Sequence, residues 1–273
     1  MKYIHIMTIA GSDCSGGAGI QADIKTISAL GAYASSVITA ITVQNTCGVS
    51  AVYPVPADIV GQQIHAIRTD ILPDAIKIGM VTDENIIRSI CKELKEITDI
   101  PVVFDPVLVS SSGFSLATPE ALESIKTEMI PLCYLLTPNL PEAQLLSGIT
   151  IDDETSVRSA AEVLLNMGCK HVLIKGGHRS DGEMKDLLFS KDTVNNPLSF
   201  SEQKIHTRNT HGTGCTLSSA IATFIARGCM LPEAVSEGKK YLTKALTAGK
   251  DIRIGQGQGP LNHFFDPQKA ILK

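Results

Sequence analysis

The chain has no excess of positive charge, no long apolar run and no paired cysteines, and each absence narrows what it does. Its 24 lysines and arginines stand against 28 aspartates and glutamates, a net charge of −4. That leaves no basic footprint for nucleic acid or for an anionic membrane surface. No stretch reaches the ~18 apolar residues of a membrane span. The apolar start, residues 1–10, is too short for a secretory signal and lacks its basic flank and cleavage pattern. A cytoplasmic location is expected. The seven cysteines, at positions 14, 47, 91, 133, 169, 215 and 229, are odd in number and form no C-x-x-C pair. Neither a disulfide framework nor a structural zinc site is suggested. Low-complexity and linker segments are missing too. With 44% hydrophobic and 19% charged residues among 273, the expectation is a single well-buried α/β domain over residues 1–273.

What is present is concentrated in one stretch, Lys204 to Gly228 (KIHTRNTHGTGCTLSSAIATFIARG). A few strand-like residues at its start lead through Gly212-Thr213-Gly214-Cys215 into a helix. The apolar positions Leu217, Ala220, Ile221, Phe224 and Ile225 recur there at the i, i+3, i+4, i+7 spacing. The first amides of a helix lack intrahelical partners, and the helix dipole is positive at that end, so these N–H groups face whatever anion reaches them. Gly212 and Gly214 carry no side chain to block the approach. Cys215 sits in the same field, which is expected to bias its thiol toward thiolate.

The rest of the chain alternates short apolar runs with amphipathic ones. Strands are expected near residues 4–10, 37–43, 75–78, 102–104, 133–136 and 172–174, with a shorter antiparallel strand at 186–189. Helices are expected near 21–30, 57–69, 83–97, 119–129, 140–147, 154–167 and 232–248. Such alternation implies a mostly parallel sheet covered by helices on both faces, with right-handed crossovers. Ligands of such sheets bind at the C-terminal ends of the strands, so the loops after each strand matter most.

Those loops carry an unusual collection. The first strand is followed by Gly11-Ser12-Asp13-Cys14-Ser15-Gly16-Gly17-Ala18-Gly19 and a helix bearing Gln21 and Asp23. This is neither a Walker A loop nor G-x-G-x-x-G, but it brings backbone close to a ligand. Gln44 and Asn45 close the second strand, where an amide both donates to and accepts from a heterocycle edge. Asp105 ends the strand Val102-Val103-Phe104, and Asn139 with Glu142 follows one strand later. Such oxygen ligands suit Mg²⁺, which keeps several waters and takes one or two carboxylates plus substrate phosphates. Asn139 is also placed to cap a helix. Lys175 ends the next strand, ahead of Gly176, Gly177 and His178, where its charge would bridge phosphates. The tail spaces Gly255, Gly257 and Gly259, a pattern that either wanders over the surface or touches the nucleotide. Together these features describe phosphoryl transfer from a nucleotide, which is mostly positioning and charge stabilisation.

GSDCSGGAGIQADIKT, VVFDPV, TPNLPEA, LIKGGH and above all NTHGTGCTLSSAIA resemble the hydroxymethylpyrimidine/phosphomethylpyrimidine kinases of thiamine biosynthesis, in the ribokinase-like superfamily. The resemblance covers nearly the whole chain. It implies a three-layer ribokinase-like fold, ATP and Mg²⁺ as cofactors, two successive phosphorylations of a small pyrimidine at one site, and a homodimer. It further implies catalytic roles for Cys215, Lys175, Gly212 and Gly214, and a pyrimidine pocket lined by Gly11, Asp23, Gln44 and Val107. Nucleotide contacts would fall to Asn139, Lys175 and Thr213, and metal contacts to Asp105 and Glu142. Superfamily sugar kinases carry Asp where this chain has Cys215, and Cys14 stands where many relatives have Ser. Two other functions fit the same residues less well. One is a pyridoxine or pyridoxal kinase, which shares the G-T-G-C turn; the other is a catalytically silent sensor.

Overall fold

The computed structural model describes residues 1–108, 118–176 and 183–273, so the expected features at Gly177 and His178 lie outside the described residues. Among the described residues nine strands form one sheet in the spatial order β3-β2-β1-β4-β5-β6-β7-β8-β9. In chain order these are β1 (His5–Asp13), β2 (Tyr33–Asn45), β3 (Gly48–Pro54), β4 (Ala75–Ile78), β5 (Val102–Phe104), β6 (Leu135–Leu136), β7 (His171–Gly176), β8 (Glu183–Ser190) and β9 (Leu198–Gln203). The six strands from β2 to β7 along that order pair in parallel. Antiparallel pairs close both edges, β2 with β3 and β7 with β8 and β9.

Helices α1 (Gly19–Ala29), α7 (Thr213–Ala226) and α8 (Leu231–Gly249) cover one face. Their apolar side chains, such as Ile27, Leu217, Ile221 and Val235, form one core with Ile6 and Val103 from the sheet. Helices α2 (Ala57–Asp70), α3 (Glu84–Leu94), α4 (Pro119–Ser124), α5 (Leu140–Ser147) and α6 (Glu154–Asn166) cover the other. There Ile64, Ile86, Ile90 and Leu164 pack against Ile9, Ile78 and Phe104. The three-layer α/β arrangement is therefore the expected one, and β4, β5 and α5 keep their expected bounds. Among the described residues no helix is long and apolar enough to cross a membrane.

The differences have local causes. β1 continues through Gly11 to Asp13 because Ser12 and Asp13 still pair with Ile41 and Thr42 of β2, past a register shift after Ala10. The first three residues of the expected glycine loop, Gly11 to Asp13, are thus strand. β3 was not expected; Pro54 and Pro56 mask its β-forming residues, while a turn at Thr46-Cys47 joins it to an extended β2. α4 is α-helical only to Ser124 and then widens into a π turn, Ile125–Met129. β6 is two residues long. The strand expected from Lys204 lies earlier, at β9, and residues 204–207 have no regular structure.

The glycine-spaced tail does not wander. Gln258 N donates to Thr46 O at 2.8 Å, and His211 N donates to Gly259 O at 3.1 Å. A Cβ on Gly257 would collide with the Thr46 carbonyl, and one on Gly259 with the Asn209 side chain. Bare backbone is what lets the tail lie against the β2–β3 turn and the approach to α7.

Candidate active site

The mouth of α7 faces the C-terminal ends of β1, β5 and β7. Gly212 caps the helix at φ +85°, a left-handed conformation that glycine adopts without strain. A Cβ there would also strike the carbonyl oxygen of Gly17. The loop after β1 therefore rests directly on the start of α7. Asp13 shapes that loop. Its carboxylate accepts from Ser15 N (2.9 Å), Ser15 Oγ (2.7 Å), Gly17 N (3.1 Å), Ala18 N (2.8 Å) and His211 Nε2 (2.8 Å). Burial works against its ionisation, but the hydrogen bonds from His211, Ser15 and Ala18 outweigh it and hold the carboxyl down to about 2.

Across the mouth lies an ion pair. Lys175 Nζ donates to Asp105 Oδ1 at 2.7 Å, and Thr137 Oγ1 donates to the same oxygen at 3.1 Å. A Cβ on Gly214 would sit 3.0 Å from Asp105 Oδ2 and 3.5 Å from Lys175 Nζ, so glycine keeps this approach open. Burial favours a neutral Lys175, yet Asp105 and Glu142 override it and raise its pKa. Glu142 is pushed up to about 7, by burial first and then by the charge of Asp105, with Lys175 opposing.

Asn139 and Glu142 form a reciprocal capping box on α5. Glu142 N donates to Asn139 Oδ1 and Asn139 N to Glu142 Oε2, each at 2.8 Å. The capping alternative is thus realised, and it fixes the Glu142 carboxylate in the neighbourhood of Asp105 and Lys175.

Two expectations need correcting. Asp23 does not line a pocket. It is fully buried with Lys77, whose Nζ donates to both carboxylate oxygens at 2.9 Å. Thr8 Oγ1 (2.6 Å) and Ser219 Oγ (2.8 Å) donate to it as well, so the carboxylate is satisfied beneath the site. Cys215 is not biased toward thiolate. It is 9% exposed, and burial pushes the thiol up to about 11. Lys77 pulls it back only in part, and Asp23 and Asp105 push it further up. One turn of helix dipole is outweighed by desolvation and two carboxylates.

Gly11 is buried within β1, where a Cβ would meet the end of the Met80 side chain. Val107 is half-buried just past Asp105, and its amide donates to Asp105 O at 2.8 Å. Thr213 opens α7. Gln44 is half-buried on the other side of the loop after β1, with its amide group against Thr42 and His211. The structure thus brings Lys175, Asp105, Glu142 and Gly214 together, while among the described residues the Gln44 amide contacts Thr42 and His211 on the other side of the first loop. Sequence reasoning missed Asp13, Lys77 and His211 as individual residues. Lys77 had a visible signal, a lone charge inside the apolar strand Ala-Ile-Lys-Ile. Asp13 and His211 had only their positions within glycine-rich runs.

A family model described as phosphomethylpyrimidine kinase matches residues 13–262. A hydroxymethylpyrimidine/phosphomethylpyrimidine kinase of Rhizobium meliloti is 48% identical over 94% of this chain and 96% of its own length. A thiamine biosynthesis bifunctional protein of Geobacter sulfurreducens is 45% identical over 95% of this chain, which spans 52% of that longer protein. Among solved structures, a phosphomethylpyrimidine kinase from Clostridium difficile is 46% identical with a TM-score of 0.78, over 89% of this chain and 99% of that one. A Staphylococcus aureus pyridoxal kinase in complex with pyridoxal is 31% identical with a TM-score of 0.86, over 97% of this chain and 94% of that one.

Proposed function

The chain belongs to the phosphomethylpyrimidine kinase family and is a phosphotransferase of thiamine biosynthesis, and we propose that one site carries out two successive transfers from ATP. The first acceptor is the alcohol of 4-amino-5-hydroxymethyl-2-methylpyrimidine, the second its monophosphate. The observation that carries this reading is the position of Gly214, at the positive end of α7 and in contact range of both Asp105 and Lys175. A phosphate there meets helix amides and a cation on one side and a carboxylate rim on the other. One working domain spans the chain, since strands from residues 5 to 203 share a single sheet.

In this reading Gly212 and Gly214 present amides and Thr213 its hydroxyl to the transferring phosphate, and Lys175 with Asn139 holds the nucleotide phosphates. Lys175 exchanges its pairing with Asp105 for the developing charge between donor and acceptor. Asp105 and Glu142 fit a Mg²⁺ ion: two hard carboxylates, one of them with its pKa raised by burial and then by the charge of the other, are a donor set that gains from a cation. A bound Mg²⁺ would neutralise charge on the phosphate oxygens and orient them. Gln44 reads the pyrimidine edge, with Val107 and the backbone near Gly11 shaping the pocket, and Asp23 supports the site from below through Lys77.

A homodimer is proposed as well. Ile41 and Val43 of β2 and Tyr53 of β3 are exposed, and Ile41 and Tyr53 are cross-strand partners, an apolar face that a second copy would cover. The site of action proposed is the cytoplasm.

Pyridoxal kinase is the competing reading, favoured by the fold match to a pyridoxal complex at higher TM-score and lower identity. A coupled ADP assay with the aminopyrimidine alcohol and with pyridoxal decides between them. Higher kcat/KM for the pyrimidine supports the proposal; higher kcat/KM for pyridoxal overturns it.

A further inference from the structure

Three parallel strands end side by side at the mouth of α7, and alternation along them gathers three polar side chains on one face. Val103 of β5, Leu135 of β6 and Leu173 of β7 belong to the core beneath α7, whereas Phe104, Leu136 and Ile174 belong to the opposite core. Side chains repeat every two residues along a strand, so Asp105, Thr137 and Lys175 all fall on the α7 side. The main chain keeps them in step. Thr137 N donates to Phe104 O at 2.9 Å, and Lys175 N donates to Pro138 O at 2.8 Å. Thr137 also precedes a proline, which favours extended backbone past the end of β6.

Asp105 uses its two carboxylate oxygens unequally. Both side-chain hydrogen bonds that it accepts among the described residues end on Oδ1, from Lys175 Nζ at 2.7 Å and from Thr137 Oγ1 at 3.1 Å. Oδ2 is the oxygen on the helix side, 3.0 Å from where a Cβ on Gly214 would stand. Thr137 is fully buried, and a hydroxyl taken out of water is costly unless it is bonded. Its single hydrogen has one other acceptor in reach, Phe104 O, and that is farther away at 3.4 Å.

The two donors on Oδ1 differ in permanence. The transfer proposed above takes Lys175 from Asp105 toward the phosphates. Thr137 is short, β-branched and stiff about χ1, so it stays where the strand puts it. We propose that Thr137 is a positioning residue for the divalent cation: it holds Oδ1 of Asp105 when Lys175 leaves, and so keeps Oδ2 turned toward α7 as the oxygen that meets Mg²⁺. This rests on the Mg²⁺ reading of Asp105 and adds which of its oxygens serves the ion and what fixes it.

The test is calorimetric binding of AMP-PCP, an ATP analogue that cannot pass on its terminal phosphate, with and without Mg²⁺. It is run on the wild type, on Thr137→Val, which keeps the branched shape but has no hydrogen to donate, and on Thr137→Ser, which keeps the hydroxyl. Mg²⁺ is expected to tighten binding to the wild type. In Thr137→Val that gain should shrink by about tenfold, the scale of one hydrogen bond to a charged group, while the metal-free affinity holds. Thr137→Ser should restore the gain to within about twofold. Should the valine variant fail to fold, Thr137→Ala takes its place with the same expected loss. An undiminished gain without the hydroxyl, or an affinity lost equally with and without Mg²⁺, overturns the proposal. A wild type that gains nothing from Mg²⁺ sinks the metal reading of Asp105 itself, and the role of Thr137 falls with it.

Discussion

Lys175 Nζ and Asp105 Oδ1 lie 2.7 Å apart at the mouth of α7, so the cation proposed to hold phosphates and the carboxylate proposed to hold a metal are ion-paired partners. Two charges buried alone would each be costly, and each of the pair offsets that cost for the other. In the proposed mechanism Lys175 stabilises the phosphoryl group as it moves. Lys175→Ala should lower kcat by a factor on the order of 10² or more, by analogy with the loss of other transition-state donors. Calorimetry should find the affinity for the unphosphorylated pyrimidine nearly unchanged. Normal turnover at saturating ATP would reduce Lys175 to a counter-ion at a strand end.

The raised pKa of Cys215, about 11, gives its role a pH signature. Below that value the thiolate fraction rises about tenfold per pH unit. In the first transfer the acceptor is an alcohol that must lose a proton. In the second it is a phosphate monoester, with a second pKa of about 6, already ionised at neutral pH. If Cys215 takes the alcohol proton, the first rate climbs with pH through the neutral range and the second does not. Cys215→Ala should abolish that climb and slow the first transfer more than the second. Parallel losses in both rates, with profiles unchanged in shape, would assign Cys215 to packing.

Asp23→Asn separates support from contact. Removing one charge of a buried pair leaves Lys77 uncompensated, and such losses run to about 3–5 kcal/mol. Urea unfolding should show that loss. Wild-type stability combined with a raised pyrimidine KM would return Asp23 to the wall of the pocket.

How far the chain could be read without coordinates depends on the range of the interactions. Helices and parallel strands announce themselves in local periodicity, and so β4, β5 and α5 were legible to the residue. β3 was not, because two prolines hide a strand that exists only by pairing with β2. The glycines at 212 and 214, Asp105 and Lys175 were legible as strand-end and helix-start residues. The state of Cys215 was not, since its thiol is governed by burial and by Asp23 and Lys77, which pair across 54 residues of sequence. The contact between Asp13 and His211 spans 198 residues, and no local pattern encodes it.

His263 should make the fold sensitive to mild acid. It is 3% exposed, its Nε2 lies 3.0 Å from Thr216 Oγ1, and burial first, then Lys25, lower its pKa to about 4. A folded-state pKa below the unfolded value means the unfolded chain binds the proton more readily, so stability falls as pH drops from about 6.5 to about 4 and levels off below. A shift of that size corresponds to about 3 kcal/mol. His263→Gln should flatten this part of the pH–stability curve in urea titrations. An equally steep curve in the variant would place the acid sensitivity elsewhere.

The claim that one site performs two successive transfers is tested most directly by counting ADP. Limiting amounts of the aminopyrimidine alcohol and, separately, of its monophosphate are run to completion with excess ATP in a coupled assay. Two equivalents of ADP per alcohol and one per monophosphate are predicted, with both approaches to the end point slowed together by Lys175→Ala. One equivalent from the alcohol with none from the monophosphate would contradict the account.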